Sequence, residues 1–405
     1  MSISILAREI KESPTLVFNE KARLLKDRGE PVIHLGSGEP KSKTPFDAIL
    51  SCTATLKTAN IHYTSTEGIP PLLKAICRYT EEHYEKTIMP ENILVSSGGA
   101  KQAIFNLMMS IIDPQDEVII LAPYWVSYTE IVKMCHGVPV IVTPEDGRFE
   151  PRIEDIVQSV SSYTKALIVN SPNNPSGCIY SEKLIGEIVE YCEQKGIYLI
   201  MDDIYHQLYF GGKKPVSVYK YSHKNIDNSK IIVINGISKA YAMTGFRIGW
   251  AIANREVTQA MRNVSAQNTS CPSVVLQAAA VGALNGIQSG VESLRLTLEN
   301  NKNIMMRELR AFKGVKITEP QGTFYCLPDF SAYNTSSAKL AKFLLEKTLV
   351  VTVPGGEFGF EGHLRLSYCG SINQMIEGIA RMKWALDPDS PNEIYIGERK
   401  MRRNW

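Results

Sequence analysis

The sequence predicts an α/β protein in which helices wrap a mostly parallel sheet and a smaller α+β domain packs beside it. Five short, continuously apolar runs predict the strands, because strands of a parallel sheet are buried on both faces. Stretches of helical periodicity separate the runs, and this alternation is typical of a parallel sheet covered by helices. The runs are residues 93–95, 118–121, 166–169, 198–201 and 231–234.

Small, polar or aromatic residues directly follow each of these runs. The carboxyl ends of parallel strands meet at one edge of the sheet, so these clusters are expected to lie close together. Proteins of this class bind their ligands at that edge, and the sequence therefore predicts a ligand site built from several strand ends. The clusters are residues 96–101, 122–125, 170–177, 202–205 and 235–239.

The pattern changes in the last third of the chain, and the chain of 405 residues is longer than a single hydrophobic core usually serves. We predict a large domain over residues 45–290 and a small domain formed by residues 1–44 and 291–405. The charged tail, 387–405, carries no motif and is expected to be a docked or loosely ordered extension. The other predicted elements are helices at 3–29, 45–57, 285–313, 337–347 and 373–386, a helix that ends near 85, and strands at 315–327, 349–353 and 364–368.

Composition and charge argue against several classes of function. The net charge of +2 is too balanced to predict binding to nucleic acid or to an anionic membrane. The eight cysteines include no C-x-x-C pair, so no metal site is expected, and dispersed thiols fit a reducing compartment. No apolar stretch reaches the ~18–20 residues of a membrane span, and the first residues do not have the form of a signal peptide. A cytoplasmic protein is therefore expected.

The glycine-rich loop at residues 34–40 argues against two further classes. It has no third glycine in register, as the dinucleotide fingerprint of a nicotinamide-dependent dehydrogenase requires. About 30 residues precede it, too few for the DNA-binding domain of a regulator that senses a cofactor. The loop is better interpreted as a place where the backbone approaches a small ligand.

Lys239 follows the fifth apolar run after a turn of small residues, and Arg247 comes eight residues later. A lysine at the end of a buried strand can lose solvation, so that its pKa falls and its amine becomes able to form a Schiff base with a carbonyl. The planar guanidinium of Arg247 suits a phosphate. A cofactor with both a carbonyl and a phosphate would use both residues. The alternative is a surface lysine and an arginine in a structural ion pair.

The other clusters match further needs of such a cofactor, pyridoxal 5′-phosphate. A buried carboxylate at Asp202 would keep the pyridine nitrogen protonated, and Trp125 would stack on the ring. Asn174 and Tyr205 would donate hydrogen bonds to the phenolate oxygen. Each residue also has a structural alternative, such as a helix cap for Asp202, a core position for Trp125 or a simple turn at Asn174.

Anionic groups also have candidate partners. The phosphate would be bound by backbone N–H groups at a helix start, together with Ser238 and Arg247. Arg365 follows a short apolar run and is well shaped for a carboxylate, although a structural salt bridge is the commoner role of an arginine. The residues of the predicted helix start are Gly99, Ala100 and Lys101.

Taken in order, these segments resemble the fold-type I, class-I/II aminotransferases over residues 30–385. No single motif is specific, but together they are. The resemblance implies the PLP-transferase fold, pyridoxal 5′-phosphate as cofactor and amino transfer by a ping-pong mechanism through an internal aldimine. The motifs are Asn-Asn-Pro-Ser-Gly at 173–177, Asp-Asp-Ile-Tyr at 202–205, Ser-Lys-x4-Thr-Gly-x-Arg-x-Gly at 238–249, Pro-Gly-Gly-Glu-Phe-Gly at 354–359 and Arg-Leu-Ser-Tyr at 365–368.

The resemblance also implies a role for each candidate residue. Lys239 would carry the cofactor and move the proton, with Asp202 and Tyr205 as the other catalytic residues. Tyr63 would reach the phosphate of the neighbouring subunit, in a homodimer with shared sites. The implied cofactor-binding residues are Tyr63, Gly99, Ala100, Lys101, Trp125, Asn174, Asp202, Tyr205, Ser238, Lys239 and Arg247. The implied substrate-binding residues are Gly38, Lys101, Trp125, Asn174 and Arg365.

Residues 98–103 and 123–128 are most similar to the prokaryotic-type (Ib) aspartate aminotransferases. In that subgroup the lysine matching Lys101 approaches the distal carboxylate of aspartate, although neutralising the phosphate is an alternative role. Small amino and keto acids, with aspartate and 2-oxoglutarate first, are thus the implied substrates. A prephenate or aromatic aminotransferase, or a related PLP lyase, remains open because all share Lys239. Asp203 and Glu357 depart from the family pattern without touching its core chemistry.

Overall fold

The structure is a computed structural model that describes residues 3–10 and 14–403. Helices and strands alternate through most of these ranges. The helices are α1 (Ile5–Glu9), α2 (Pro14–Asp27), α3 (Phe46–Lys57), α4 (Pro70–Tyr84), α5 (Ala100–Ile111), α6 (Ser127–Met134), α7 (Ile153–Gln158), α8 (Glu182–Lys195), α9 (Arg255–Asn268), α10 (Val274–Asn285), α11 (Ser289–Leu309), α12 (Ser337–Thr348) and α13 (Ile372–Leu386). The strands are β1 (Ile33–His34), β2 (Ile93–Ser96), β3 (Glu117–Leu121), β4 (Val138–Val142), β5 (Thr164–Val169), β6 (Tyr198–Asp202), β7 (Ile231–Gly236), β8 (Gly249–Ile252), β9 (Tyr325–Cys326), β10 (Val350–Val351), β11 (Val353–Pro354), β12 (Leu364–Ser367), β13 (Glu393–Ile396) and β14 (Arg399–Arg402).

A seven-stranded sheet in the order β2-β8-β7-β6-β5-β3-β4 forms the centre of the fold. Its strands pair in parallel except β8, which is antiparallel to both β2 and β7. The prediction of a mostly parallel sheet wrapped by helices is confirmed. The sequence pattern did not reveal β4 and β8, because β4 is a partly exposed edge strand with a proline at Pro139 and β8 directly follows the Lys239 segment.

Hydrophobic clusters cover both faces of this sheet. Alternate residues of one strand point to opposite faces, and accordingly Leu199 belongs to one buried cluster and its neighbour Ile200 to another. A third cluster, built mainly from residues 294–382, also includes Ile33, Tyr205 and Leu208. The division into domains at 45–290, with 1–44 and 291–405 as the second domain, remains a prediction.

The prediction of a strand over 315–327 is wrong for most of that range. Only the β9 residues form a strand, which pairs with β12 in the three-stranded sheet β11-β12-β9. Pro320 has no N–H to give to a strand ladder, and the N–H groups of Gln321 and Gly322 donate instead to the carbonyl of Gly177. The segment is therefore held as a loop against the sheet.

The helix predicted over 285–313 is α11 in the structure, and Asn285 is instead the last residue of α10. Within the described ranges, no single helix has the length and apolarity to cross a membrane, and the only candidate is the pair α10 and α11, bent by 77° between them.

The tail is docked over its described part. Strands β13 and β14 form an antiparallel hairpin, and Ile396 and Met401 pack in a buried cluster with Ala22 of α2 and Trp384 of α13. Arg399 also donates two hydrogen bonds of 3.0 Å to the carboxylate of Glu30. The hairpin thus fastens α2 to the rest of the C-terminal region.

Gly249 lets the sheet approach the start of α5 closely. A Cβ at this position would lie 2.4 Å from the backbone nitrogen of Ala100, a distance that no side chain tolerates. The packing of β8 against α5 therefore requires glycine at 249 and places the first turn of α5 at the carboxyl edge of the sheet.

Candidate active site

A cavity of about 980 Å³ opens at the carboxyl ends of β5, β6 and β7 and brings most of the predicted site residues together. Gly99 and Tyr63 are the exceptions and lie outside its wall, and Tyr63 is 89% exposed. The predicted residues that line the cavity are Gly38, Ala100, Lys101, Trp125, Asn174, Asp202, Tyr205, Ser238, Lys239, Arg247 and Arg365.

Lys239 reaches the cavity from the turn that follows β7. Its Nζ donates a hydrogen bond of 2.8 Å to the carbonyl of Gly38 and lies 6.0 Å from the centre of the Tyr205 ring. Burial lowers the pKa of this amine to about 8, and the charge of Arg365 acts in the same direction, while Glu39 opposes both. Near neutral pH a useful fraction of Lys239 is therefore an uncharged nucleophile.

Asp202 is the last residue of β6 and is buried at the base of the cavity. Its carboxylate accepts a hydrogen bond of 2.6 Å from the hydroxyl of Tyr128 and one of 3.3 Å from the N–H of Ile204. Burial raises the pKa of Asp202 to about 6, and the two hydrogen bonds and Lys239 limit the rise. A carboxylate held in this way can stabilise a cation placed above it.

Two asparagines after β5 tie the strand ends together. The side chain of Asn170 donates a hydrogen bond of 2.7 Å to the carbonyl of Asp202 and accepts one of 2.8 Å from the N–H of Asn174. The Oδ1 of Asn174 in turn accepts a hydrogen bond of 3.2 Å from Arg365. Because this oxygen is engaged, the Nδ2 group of Asn174 is the one that faces a ligand as a donor.

Arg365 is the most deeply buried cation of the cavity wall, at 3% exposure. Its guanidinium lies 4.4 Å from the ring centre of Tyr325 and 5.1 Å from that of Phe358. One amino group of the guanidinium donates a hydrogen bond of 3.0 Å to the carbonyl of Gly36. The Nε atom has no hydrogen-bond partner among the described residues. A buried cation held by carbonyl oxygens and aromatic rings has the chemistry of an anion site.

The start of α5 and Arg247 form the opposite side of the cavity. Arg247 donates a hydrogen bond of 2.6 Å to the carbonyl of Gly98 and another of 3.0 Å to the carbonyl of Thr244. The N–H of Gly99 donates to the carbonyl of Arg247, which removes it from the predicted set of phosphate donors. The N–H groups of Ala100 and Lys101 remain in the first turn, where a helix offers them no internal partner.

Lys101 lies between this helix start and the aromatic wall. Its Nζ is 4.9 Å from the ring centre of Trp125. Burial lowers the pKa of Lys101, and the charge of Arg247 lowers it further. The cavity thus holds a second partly desolvated amine beside Arg247, and this amine is within reach of either a phosphate or a substrate group.

Tyr128 and Asn170 are two cavity residues to which the sequence interpretation gave no role. Asn170 is the first residue after β5, so the rule that strand ends carry ligand-binding residues would have found it. Tyr128 is three residues after Trp125, a spacing that places both on one face of the helical turn, and the two rings are 5.3 Å apart. Its bond to Asp202, however, joins elements far apart in the sequence.

Asp203 faces away from the cavity into a buried polar cluster behind β6. Tyr84 is its hydrogen-bond partner, and Tyr84 accepts 2.8 Å from the side chain of Asn235. Burial raises the pKa of Asp203 to about 8, the charge of Asp202 adds to the rise, and Tyr84 offsets part of it. At neutral pH the pair of carboxyl groups therefore carries its charge on Asp202.

We predict that Asp203→Asn flattens the pH dependence of folding stability between pH 6 and 8. The folded state holds a proton on Asp203 up to pH of about 8, whereas the unfolded chain releases it near 3.8, so stability falls as pH rises through this window. Asparagine removes this dependence, up to about 1.4 kcal/mol per pH unit. Urea unfolding at several pH values measures it, with the exposed Asp113→Asn as control. An unchanged slope in Asp203→Asn would show that the carboxyl is already ionised at pH 6.

Comparison with known proteins gives a consistent result. The sequence model of the family described as "Aminotransferase class I and II" matches residues 30–382. A probable aspartate/prephenate aminotransferase of Aquifex aeolicus is 37% identical over 386 residues, which cover 93% of this chain and 97% of that protein.

Two solved structures show the same similarity in three dimensions. The aspartate aminotransferase of Thermus thermophilus with maleate has a TM-score of 0.88 and 35% identity, covering 94% of this chain and 98% of the other. The aspartate aminotransferase of Rhizobium meliloti has a TM-score of 0.91 and 32% identity, covering 96% and 99%. With the sheet, the strand-end cavity and these matches in agreement, this chain belongs to the class I and II aminotransferase family.

Proposed function

We propose that this protein is a pyridoxal 5′-phosphate-dependent aminotransferase that moves the amino group of aspartate to 2-oxoglutarate. The observation that carries the proposal is the charge pattern of the cavity. Seven lysines and arginines line it against three acidic residues, and the hydrogen bonds of Lys239, Arg247 and Arg365 go to carbonyl oxygens rather than to carboxylates. A cofactor phosphate and the two carboxylates of a dicarboxylic substrate supply the anions that this cavity needs.

The residues present fit the cofactor. The positive φ of 72° at Gly99 and the 3.3 Å that would separate a Cβ there from the guanidinium of Arg247 show a cradle kept open by glycine. Arg247, Ser238 and the N–H groups at the start of α5 would hold the phosphate. The carboxylate of Asp202 would hold the ring nitrogen, and Trp125 would cover the ring. When bound, the cofactor supplies a carbonyl and an electron-withdrawing ring.

The chain's own residues divide the remaining work. Lys239 offers an amine whose pKa of about 8 lets Nζ both accept and donate a proton near neutral pH. The Nδ2 of Asn174 and the hydroxyl of Tyr205 would orient the phenolate oxygen. Arg365, between its two aromatic rings, would bind the α-carboxylate of the substrate as a bidentate partner.

Borohydride reduction followed by peptide mapping tests the role of Lys239. We expect the reduced cofactor to be attached to Lys239 in the wild-type protein. In Lys239→Ala no label should form, and amino transfer should fall by roughly 10²- to 10⁴-fold from loss of the acid–base role alone. Lys230→Ala serves as control, because the Nζ of that lysine lies outside the cavity, where it contacts the carbonyl of Gly196 and the ring of Tyr198. A label on another lysine would refute the assignment.

Substrate choice is supported by the relatives and by the position of Lys101. The T. thermophilus relative is described with maleate, a dicarboxylate. The Nζ of Lys101, 4.9 Å from the ring centre of Trp125, is the cation that we assign to a distal carboxylate. Prephenate as amino acceptor is a second candidate, because the A. aeolicus relative is described as an aspartate/prephenate aminotransferase. A panel of donors with 2-oxoglutarate, oxaloacetate and prephenate as acceptors separates the two.

We expect Lys101→Ser to lower kcat/KM for aspartate by roughly 10- to 200-fold, because a charge-assisted hydrogen bond of ~1.5 to 3 kcal/mol is lost. Alanine and phenylalanine, which have no distal carboxylate, are the matched control donors and should be affected little. Steady-state kinetics with all three donors measure this. An equal loss for all donors, with weaker cofactor retention, would instead assign Lys101 to the phosphate.

A homodimer with shared sites is part of the proposal. Tyr63 lies outside the cavity of its own chain and is almost fully exposed, as expected of a residue that serves a neighbouring subunit. Helix α3 nearby exposes several large apolar side chains, which monomeric proteins seldom leave uncovered. These are Phe46, Ile49, Leu50 and Leu56.

Light scattering after gel filtration should give about twice the mass of 45.1 kDa for the wild-type protein. Leu50→Asp should shift the protein toward monomer and lower activity, because a charge would be buried at the interface. Val157→Asp, a similar change at an exposed position of α7, is the control. A wild-type monomer with full activity would contradict the shared site.

A further inference from the structure

His34, at the end of β1, also lines the cavity, although none of the roles described above involves it. Its imidazole has a partner on each side. Nε2 lies 2.7 Å from the Oδ1 of Asn19 on α2, and Nδ1 lies 3.1 Å from the backbone nitrogen of Gly36. The ring therefore connects helix α2 with the glycine-rich loop.

These two contacts define the tautomer of His34. The N–H of Gly36 can only donate, so Nδ1 must be the unprotonated nitrogen and Nε2 must carry the proton that is given to Asn19. Burial, together with the positive charges of Lys26, Lys41 and Arg365, lowers the pKa of His34 to about 4. The ring is therefore neutral at ordinary pH, with one acceptor and one donor, and both are used.

The loop held by His34 directs two carbonyls at two cations of the site. The carbonyl of Gly36 accepts a hydrogen bond of 3.0 Å from Arg365, and the carbonyl of Gly38 accepts one of 2.8 Å from the Nζ of Lys239. Gly36 is also closely packed, since a Cβ there would lie 3.0 Å from Val353 and 3.3 Å from the His34 ring. Glycine has the greatest backbone freedom of any residue, so the bond from its N–H to His34 supplies a restraint that the residue itself does not provide.

The other end of this connection lies in segments outside the range matched by the family. Asn19 belongs to α2, which precedes residue 30, where the match begins. Helix α2 is held in turn by Ile396 and Met401 of the C-terminal hairpin, which pack against Ala22, and that hairpin lies beyond residue 382, where the match ends. The loop is thus supported by segments on either side of the range that the family model matches.

We propose that His34 is a positioning residue that, through Gly36, holds the guanidinium of Arg365 in the orientation that receives a substrate carboxylate, and that Asn19 holds the imidazole in the tautomer this requires. The inference rests on the proposed function, because a carboxylate is the anion assigned there to Arg365. Loss of the connection weakens carboxylate binding and leaves the chemistry at Lys239 unchanged.

Two isosteric variants separate the halves of the connection. In His34→Asn the amide oxygen takes the place of Nδ1 and still accepts from Gly36, whereas in His34→Gln the amide nitrogen takes the place of Nε2 and still donates to Asn19. His34→Phe removes both contacts and keeps a ring. His223→Gln, at an exposed histidine distant from the cavity, is the matched control.

Isothermal titration of each holoenzyme with maleate, an unreactive dicarboxylate, gives the first readout. We expect His34→Gln and His34→Phe to raise the Kd by roughly 3- to 15-fold, the loss of about one hydrogen bond. His34→Asn should stay within about threefold of wild type, and His223→Gln should be unchanged. Equal Kd values for wild type, His34→Gln and His34→Phe would overturn the inference.

Steady-state kinetics and cofactor content give the second readout. In His34→Gln the KM for aspartate should rise by the same factor as the Kd for maleate, with kcat within about twofold of wild type and an unchanged cofactor spectrum. A fall in kcat, cofactor content and thermal midpoint together, in all three variants including His34→Asn, would show a purely structural role and overturn the proposal. A wild-type enzyme that transaminates other amino acids but does not bind maleate would overturn the dicarboxylate assignment and this inference with it.

Discussion

Uncompensated positive charge at the carboxyl edge of the sheet is the constraint on which the rest of the site depends. Arg365 is almost fully buried and Lys239 is desolvated, yet neither forms an ion pair with a carboxylate in the described part of the chain. Such burial costs several kcal/mol per ion unless something compensates it. Carbonyl oxygens of the loop and of Asn174 offset part of that cost, and the remainder gives the cavity its affinity for anions.

Asp202, the buried carboxylate at the base of the cavity, is a negative charge whose burial is likewise offset by the groups around it. Asp202 remains ionisable near neutral pH because Tyr128, Ile204 and Lys239 favour its charged form against burial. Its neighbour Asp203 has only Tyr84 to offset burial, and its pKa rises further. Two adjacent residues of the same type thus take different charge states, and their surroundings decide which one serves the ligand.

Much of the fold and of the candidate site was predictable, for reasons visible in particular residues. The runs that became β2, β3, β5, β6 and β7 were recognisable because burial on both faces leaves no polar position in them. Asp202 was found because it directly follows such a run, and Lys239 because only a short turn separates it from one. The strand predicted over 315–327 failed because its apolar residues pack as a loop, with hydrogen bonds going to Gly177.

By itself the sequence determined which strands are buried, where they end and which reactive residues stand at those ends, because these properties depend on local composition and order. Tertiary structure alone decided that the N–H of Gly99 is consumed by Arg247, that Tyr128 bonds to Asp202 and that His34 connects α2 to the loop beside Arg365. Each of these contacts joins residues or elements whose distance depends on how the whole chain packs. Burial and hydrogen bonding, and hence the charge state of the site, are set only at that level.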